Sequence, residues 1–437
     1  MGGLLSSYSI DAPAVLVMNL DATVGAMPGS NITTSASFNG STQYLTLPAS
    51  TDWAFGTGDF TIEWWQYQTG AGTFPRVFSV GASPTASVAV SIESGTFYFW
   101  EGSAGSPKFS SALSSYLNTW VHFAISRVSG QTSVYQNGTQ IGSTYADTNN
   151  INDSSSTLSI GREISAFATY FPGYISNFRI IKGTGIYTAN FVAPTTTLRA
   201  VSGTVALLPL TAAPFMDMST NLYTITNYGT TTTTASAPTL AAATTDFTGT
   251  YAITTTNAGA TIAYNSANGG VFRKSTSSGA DVMILGPNYV TSQSYTVFMA
   301  YKISATSAGR LLNTNSEATK DWLLGAYNGY PKAFYPNFSV NLPGSGADTV
   351  WHFSWGTFNT GSSLGQLYTA TSAQPTSTSF TGTNSGGGGF NQLRLFSRSG
   401  GSEVQTADIG MIRVYNGVVT LAQVQSQYAA FKTRFGY

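Results

Sequence analysis

The sequence predicts an all-β protein built from two tandem antiparallel β-sandwiches, with one short helix at the C-terminus. The first observation is an internal repeat, in which three segments return in the same order at offsets of 235, 231 and 234 residues: residues 60–64 as 295–299, residues 120–123 as 351–353, and residues 178–183 as 412–417. The nearly constant offset indicates that one domain has been built twice. A length of 437 residues is enough for each copy to bury its own core.

The second observation is that strand signals are dense. Residues 133–141 read as a hairpin, because Asn137 and Gly138 supply the two positive φ angles of a type I′ turn between alternating strands. Residues 157–161 and 392–396 alternate in the same way. Short strands separated by turns at this density predict a two-sheet sandwich.

The domain boundaries follow from two apolar segments of strand length. We expect an N-terminal arm over residues 1–12, a first sandwich over residues 13–200 that opens with the apolar run at 15–20, and a second sandwich over residues 201–437 that opens with the run at 205–210. The second copy is longer, and its additional Thr/Ala-rich and Gly-rich residues at 230–245 and 257–279 read as loops.

A closing helix is predicted over residues 420–435. Its apolar residues fall at helical spacing, namely Leu421, Val424, Tyr428, Phe431 and Phe435. Thr420 and Gln423 stand at the positions of a capping box, in which each side chain bonds the backbone of the other.

Composition excludes several classes of function. Charged residues make up 8% of the chain, with 18 of each sign, against about 25% in an average soluble protein. Nucleic acid binding requires a basic surface, so we expect no nucleic acid partner. The chain has no cysteine, which excludes disulfides, thiolate catalysis and Cys-ligated metals. No apolar run reaches the roughly 18 residues of a membrane span, and no secretory signal pattern is evident.

The first six residues fit the N-myristoylation pattern through Gly2. The alternative is a small flexible arm that docks against a neighbour or against the domain body.

Five motifs in the first repeat carry a resemblance to a known family. In order along the chain, residues 38–45, 60–65, 120–123, 134–138 and 158–162 resemble successive strands of a laminin-G-like, concanavalin A-like jelly roll. The resemblance covers nearly all of residues 13–200. The second repeat is more divergent, since it keeps counterparts at 247–251, 351–353 and 412–417 but not the Asn-Gly hairpin. The resemblance implies two tandem jelly-roll sandwiches, and the family includes lectins, adhesins and glycoside hydrolases.

Aromatic side chains are the main candidates for ligand contact. On the strand that starts at residue 60, one face carries the apolar residues and the other carries Glu63, Trp65 and Tyr67; on a later strand, Tyr98 and Trp100 alternate with two phenylalanines. The outer face would then present Trp65, Tyr67, Tyr98 and Trp100 to a sugar ring. The alternative use of these rings is packing or subunit contact.

A calcium site is one interpretation of the oxygen-rich segment after residue 146. Asp147, Asn149 and Asp153 are the candidate ligands, with Asn150 and Asn152 between them. A hydrated turn before the strand at 158 is the other interpretation. We expect no further cofactor.

The sequence predicts that the protein is not an enzyme. His122 and His352 occupy equivalent positions in the two repeats, so each is expected to bond within its own sandwich rather than form a shared site. A glycoside hydrolase needs two facing carboxylates, and no Glu-x-Asp-x-Glu strand occurs, because Glu63 is alone on its strand and Glu93 and Glu101 lie on different segments.

The resemblance extends to a biological setting. Tandem domains of this kind, followed by segments like residues 183–187, are similar to those in structural proteins of tailed phages and large viruses. We therefore expect a non-enzymatic virion protein on the particle surface, as capsid decoration, fibre or tail component, assembled in the host cytoplasm. Its expected partners are other virion proteins, sister copies and host-surface glycans. The alternatives are a free glycan-binding lectin or adhesin and, less favoured, a glycoside hydrolase.

Overall fold

The chain forms two compact units. The computed structural model describes residues 15–21, 26–71, 74–81, 87–102, 106–164, 169–246, 248, 250–255, 262–265, 267–276, 283–286, 294–304, 309–314, 323–327, 330–335, 340–341, 350–359, 364–370, 379–381, 392–397, 403–417 and 419–435. Of the described residues, the first unit holds those from 31 to 241, and the second joins those from 15 to 30 with those from 242 onward. The predicted arm at 1–12 lies outside the described residues.

The first described strand, β1 (Val15–Asp21), belongs to the second unit. The strands of the first unit follow in chain order: β2 (Ser35–Asn39), β3 (Tyr44–Leu47), β4 (Phe60–Gln68), β5 (Arg76–Val80), β6 (Val88–Glu93), β7 (Thr96–Glu101), β8 (Phe109–Ala112), β9 (Trp120–Val128), β10 (Gln131–Gln136), β11 (Thr139–Ala146), β12 (Leu158–Ile160), β13 (Pro172–Lys182), β14 (Thr204–Leu208), β15 (Thr226–Tyr228) and β16 (Thr232–Thr234).

These strands form two antiparallel sheets that enclose one core. The β4 sheet has the order β11-β10-β9-β4-β13-β2-β16, with β14 beside β13, and the β7 sheet has the order β15-β3-β12-β5-β6-β7-β8. Their inner faces meet around the fully buried ring of Trp64, which lies 5.3 Å from the ring of Phe78 and 5.7 Å from that of Phe123. Burying each such aromatic side chain stabilises the fold by roughly 1.5–3 kcal/mol.

The predicted Asn-Gly hairpin joins β10 to β11. Asn137 and Gly138 have φ angles of 49° and 78°, as a type I′ turn requires. A side chain at Gly138 would collide with the carbonyl oxygen of Phe191, so glycine is needed there for close approach as well as for its φ angle.

The second unit repeats the sandwich. Its remaining strands are β17 (Ile253–Thr255), β18 (Ile262–Asn265), β19 (Val271–Lys274), β20 (Met283–Leu285), β21 (Ser294–Ile303), β22 (Gly309–Thr314), β23 (Leu323–Tyr327), β24 (Tyr330–Tyr335), β25 (Val340–Asn341), β26 (His352–Asn359), β27 (Leu364–Ala370), β28 (Ser379–Thr381), β29 (Leu393–Leu395) and β30 (Ala407–Asn416). One sheet has the order β18-β19-β30-β21-β26-β27-β28 with β1 beside β30, and the other has the order β17-β20-β29-β22-β23-β24-β25. The predicted all-β fold class is therefore confirmed.

Helix α1 (Leu421–Phe435) is the α-helix of the described residues and follows the last strand. The capping box is present, because the backbone N–H of Gln423 donates to Thr420 Oγ1 and the backbone N–H of Thr420 donates to Gln423 Oε1. Val424, Tyr428 and Phe435 are buried, while the side chain of Phe431 lies outside the described part. Within the described residues, no helix has the length and apolar character needed to cross a bilayer.

The units divide differently from the predicted boundary near residue 200. β1, expected to open the first sandwich, pairs with β30 in the second unit, and β14, expected to open the second, pairs with β13 in the first. The stretch expected as a loop of the second domain at 230–245 contributes β16 to the first unit. Apolar strand composition predicts that a segment pairs, but it does not specify which of two equivalent partners it pairs with.

Candidate functional site

The four aromatic residues singled out in the sequence do not share one surface. Trp65 and Tyr67 lie on β4, whereas Tyr98 and Trp100 lie on β7 in the opposite sheet. All four are half-buried and alternate with fully buried core residues, so each pair faces outward from its own sheet. The sandwich separates the expected platform into two surfaces.

The outer face of the β4 sheet carries a cross-strand aromatic row. Trp120 on β9, Tyr67 on β4 and Tyr174 on β13 are directly opposite one another in register. The rings of Tyr67 and Trp120 are T-shaped with centroids 5.8 Å apart, and those of Tyr67 and Tyr174 are tilted with centroids 5.4 Å apart. The indole N–H of Trp120 donates to Ser236, and the ring of Trp65 packs at 5.3 Å against His122. These aromatic rings mainly contact other side chains of the first unit.

A buried ionic cluster lies next to this row, where the sequence indicated only an isolated Glu63. The Glu63 carboxylate accepts hydrogen bonds from Arg179, from His122 Nε2 at 3.2 Å and from the Tyr187 hydroxyl at 2.8 Å. Burial alone would raise the pKa of Glu63, but the charge of Arg179 and the contacts with His122 outweigh it and lower the pKa to about 2. Tyr187 stacks on Phe191 at 3.6 Å across the cluster. The group is closed off and structural, and His122 bonds within its own sandwich as expected.

The outer face of the β7 sheet combines aromatic rings with fixed charges. The guanidinium of Arg76 lies 4.0 Å above the ring of Trp100, and the ring of Tyr98 is 5.5 Å from that of Trp100. Arg76 Nε donates to Glu163 Oε2 at 2.8 Å, and its Nη1 lies 3.6 Å from Glu93 Oε1. The ion pairs hold the arginine in place, and its guanidinium packs against one face of the indole and orients it.

A second aromatic group lies on the same face, toward the other edge of the sheet. Tyr228 on β15 is directly opposite Tyr44 on β3, and their rings stack at 4.4 Å with an interplanar angle of 3°. The guanidinium of Arg162 lies 5.1 Å from the ring of Tyr44 and 4.6 Å from that of Tyr170. Tyr228 is 42% exposed.

We term the residues of these two groups, which lie on one outer face, the β7-sheet track: Tyr228, Tyr44, Tyr170, Arg162, Glu163, Arg76, Trp100 and Tyr98. The side chains of Arg76 and Glu163 in its middle are buried. Arg162 and Glu163 are adjacent in sequence and link the tyrosine end to the tryptophan end. From β15 to β7 the track crosses five strand spacings, or about 24 Å at ~4.8 Å each. Sequence reasoning found Tyr98 and Trp100 but missed the rest, because the alignment of β15, β3 and β5 is set by long-range pairing.

The three predicted calcium ligands do not converge. Asp147 and Asn149 are neighbours, with Asn149 Nδ2 donating to Asp147 Oδ1 at 3.2 Å, but Asp147 also accepts from Thr132 and from the buried Arg127. The guanidinium of Arg127 lies where a cation would sit. Asp153 instead accepts the backbone N–H groups of the two serines that follow it, which is the turn before β12 that formed the alternative interpretation. The described residues hold no group of three His, Cys, Asp or Glu side chains suited to a metal ion.

Glu101 lies beside this pair. Its Oε2 accepts from Asn149 Nδ2 at 2.9 Å, and its side chain is almost fully buried. Burial and the neighbouring charge of Asp147 raise the pKa of Glu101 to about 8. This carboxyl is therefore protonated at neutral pH.

Comparison with known proteins finds a family likeness in the first repeat. Residues 39–184 match the family model described as the concanavalin A-like lectin/glucanases superfamily. This agrees with the resemblance seen in the sequence of the first repeat and with its two antiparallel sheets. No curated protein matches the chain.

Three solved structures illustrate the likeness. A putative carbohydrate binding protein from Bacteroides ovatus is 15% identical at a TM-score of 0.38, over 48% of this chain and 62% of that one. The heptameric SAP-like pentraxin from Limulus polyphemus is 18% identical at a TM-score of 0.32, over 45% and 94%. Domains LG4-5 of the mouse laminin alpha1 chain are 10% identical at a TM-score of 0.28, over 94% and 95%. The chain thus spans about 62% of the length of the first of these proteins.

We predict that Glu101→Gln flattens the pH dependence of stability between about pH 4.5 and 8. The unfolded chain releases this proton near the ordinary pKa of 4.5, whereas the folded chain holds it up to about 8. Rising pH therefore favours the unfolded chain across this window, by up to roughly 1.4 kcal/mol per pH unit. Urea unfolding at pH 5 and pH 8 measures the effect, and parallel curves for the wild-type protein and the variant would contradict it.

Proposed function

We propose that this protein is a non-enzymatic glycan-binding protein and that the β7-sheet track is its binding surface. The observation that carries the proposal is the convergence of half-buried aromatic rings with ion-paired polar groups on one outer face. Sugar rings present apolar C–H groups that stack on aromatic faces, together with hydroxyls that need fixed hydrogen-bond partners. The ionic cluster beside the aromatic row on the β4 sheet is buried, and the rings there are engaged with Ser236 and His122.

The charge balance of the track favours an uncharged glycan. Arg76 and Arg162 are matched by Glu93 and Glu163, and Arg76 lies against both carboxylates. An acidic sugar would have to displace an existing ion pair to reach Arg76, and this would leave a buried charge unpaired. Neutral hexose polymers avoid that penalty.

The same ion pairs argue for binding rather than hydrolysis. Hydrolysis requires two carboxyl groups that reach the scissile bond from opposite sides. The Glu163 side chain is 1% exposed and its Oε2 accepts from Arg76. It supports the arginine instead of reaching a substrate.

We further propose that the protein acts on the surface of a virus particle, where it mediates assembly contacts with virion proteins and sister copies and attachment to host glycans. Sparse charge, the absence of cysteine and the tandem repeat support this setting. Mass spectrometry of purified particles tests it, and absence of the chain from them would overturn it. A free lectin or adhesin is the alternative, and sugar binding without any association with particles would favour it.

We predict that Trp100→Ala lowers glycan affinity at least tenfold, about 1.4 kcal/mol, because it removes the ring on which the sugar stacks. The ligand is first identified with an array of neutral and acidic oligosaccharides, and titration calorimetry then compares the variants. Trp120→Ala is the matched control, since it removes a half-buried tryptophan from the outer face of the opposite sheet.

The affinity of the Trp120→Ala variant should stay within twofold of wild type. Equal losses in the two variants would argue against the β7-sheet track. Binding confined to acidic glycans would contradict the charge argument.

We also predict that affinity rises with oligosaccharide length and that Tyr228→Ala removes only the gain from the longest ligands. Tyr228 lies at the far end of the track from Trp100, so a short ligand bound at the tryptophan end does not reach it. Calorimetry over a length series measures this, with Tyr174→Ala on the other sheet as the control. If Tyr228→Ala leaves the length series unchanged, the ligand does not span the track.

A further inference from the structure

The two repeats have exchanged their first strands. β1 precedes the first unit in the chain but pairs with β30 of the second, and β14 follows the last long strand of the first unit and pairs with that strand, β13. β13 and β30 are themselves equivalent, since residues 178–183 repeat as 412–417. By chain order, β1 would pair with β13 in the first repeat and β14 with β30 in the second. Instead β1 pairs with β30 and β14 pairs with β13.

The two pairings are the same in register. On β30 the partners are Leu16 with Tyr415, Met18 with Val414, Asn19 with Arg413 and Leu20 with Ile412. On β13 they are Thr204 with Ile181, Ala206 with Ile180, Leu207 with Arg179 and Leu208 with Phe178. Every acceptor position differs by 234 residues and every donor position by 188, as the residue numbers of these pairs show.

Even the irregularity is repeated. The β1 pairing skips one residue, Val17, and the β14 pairing skips Val205 at the equivalent place. A β-bulge at the same point of both ladders means that the backbone geometry of the two acceptors is alike. Backbone geometry therefore does not determine whether β1 or β14 pairs with a given acceptor strand. We infer that the side chains of each strand determine it.

A strand chosen by its own sequence is equally suited to any copy of its acceptor. We propose that β30 is a strand-acceptor site for β1 of a second copy of this chain, so that copies associate by strand exchange. The β1–β30 ladder would be identical within a chain and between chains, and only the connection through residues 22–34 distinguishes the two forms.

Concentration then decides between the two forms. A connection of this length gives an effective concentration on the order of millimolar for pairing within the chain. In dilute solution the chain closes on itself. Where copies are packed at comparable concentration during folding, β1 from a neighbour competes on equal terms, and each copy both donates and accepts a strand. This association does not require glycan binding.

The lack of native cysteines makes the proposal testable on the full chain. Val15 lies opposite Asn416, so Val15→Cys and Asn416→Cys in one chain should form a disulfide within that chain. The two single variants are then mixed, unfolded, refolded together at increasing concentration and oxidised. We expect a two-chain species joined through positions 15 and 416, rising several-fold over a tenfold increase in concentration.

Lys182 is the matched control, because it occupies on β13 the position that Asn416 occupies on β30. Mixing Val15→Cys with Lys182→Cys should give at least tenfold less two-chain product. Non-reducing electrophoresis and peptide mass spectrometry identify the linked positions. Absence of the 15–416 product at every concentration, or equal linkage of position 15 to position 182, overturns the proposal.

Discussion

The buried ring of Trp64 is the constraint on which the first unit depends. Once this side chain is fixed among Phe78 and Phe123, strict alternation along β4 determines that Trp65 and Glu63 point the other way. The same rule on β7 directs two phenylalanines inward and two larger amphipathic rings outward. Both outer faces, and hence both aromatic surfaces, are consequences of how the core is filled.

Local chemistry was readable from the sequence, whereas long-range pairing was not. The turn at Gly138 and the capping box at Thr420 depend on residues within a few positions of each other, and both are present. The stacking of Tyr228 on Tyr44 joins residues 184 positions apart in number, and it depends on β15 joining the edge of the β7 sheet. The exchange of β1 and β14 was unreadable for a related reason, because both acceptors offer the same ladder.

Charged residues make up only 8% of the chain, and two buried glutamates among them make its stability depend on pH. Glu63 and Glu101 are both buried, yet the pKa of the first falls to about 2 and that of the second rises to about 8. Arg179 pairs with Glu63, whereas Glu101 faces the like charge of Asp147. Glu63 stabilises the fold above about pH 4.5 and loses that contribution as pH falls toward 2, while Glu101 weakens the fold as pH rises from 4.5 to 8. Taken together, these two groups make the fold most stable near pH 4.5.

The two repeats share the same backbone pairing but differ in the side chains on their outer faces. Tyr67 and Tyr174 face each other on the outer side of the first unit, and the repeat offsets place Lys302 and Asp408 in the equivalent register pair of the second. Asp408 there accepts hydrogen bonds from Arg273. An outer face can change from aromatic to ionic without disturbing the backbone pairing beneath it, because alternate side chains point away from the core. Pairing of a first strand with β13 or β30 depends on the backbone ladder and not on the outer side chains. The exchange of first strands is therefore compatible with outer faces that differ between the two repeats.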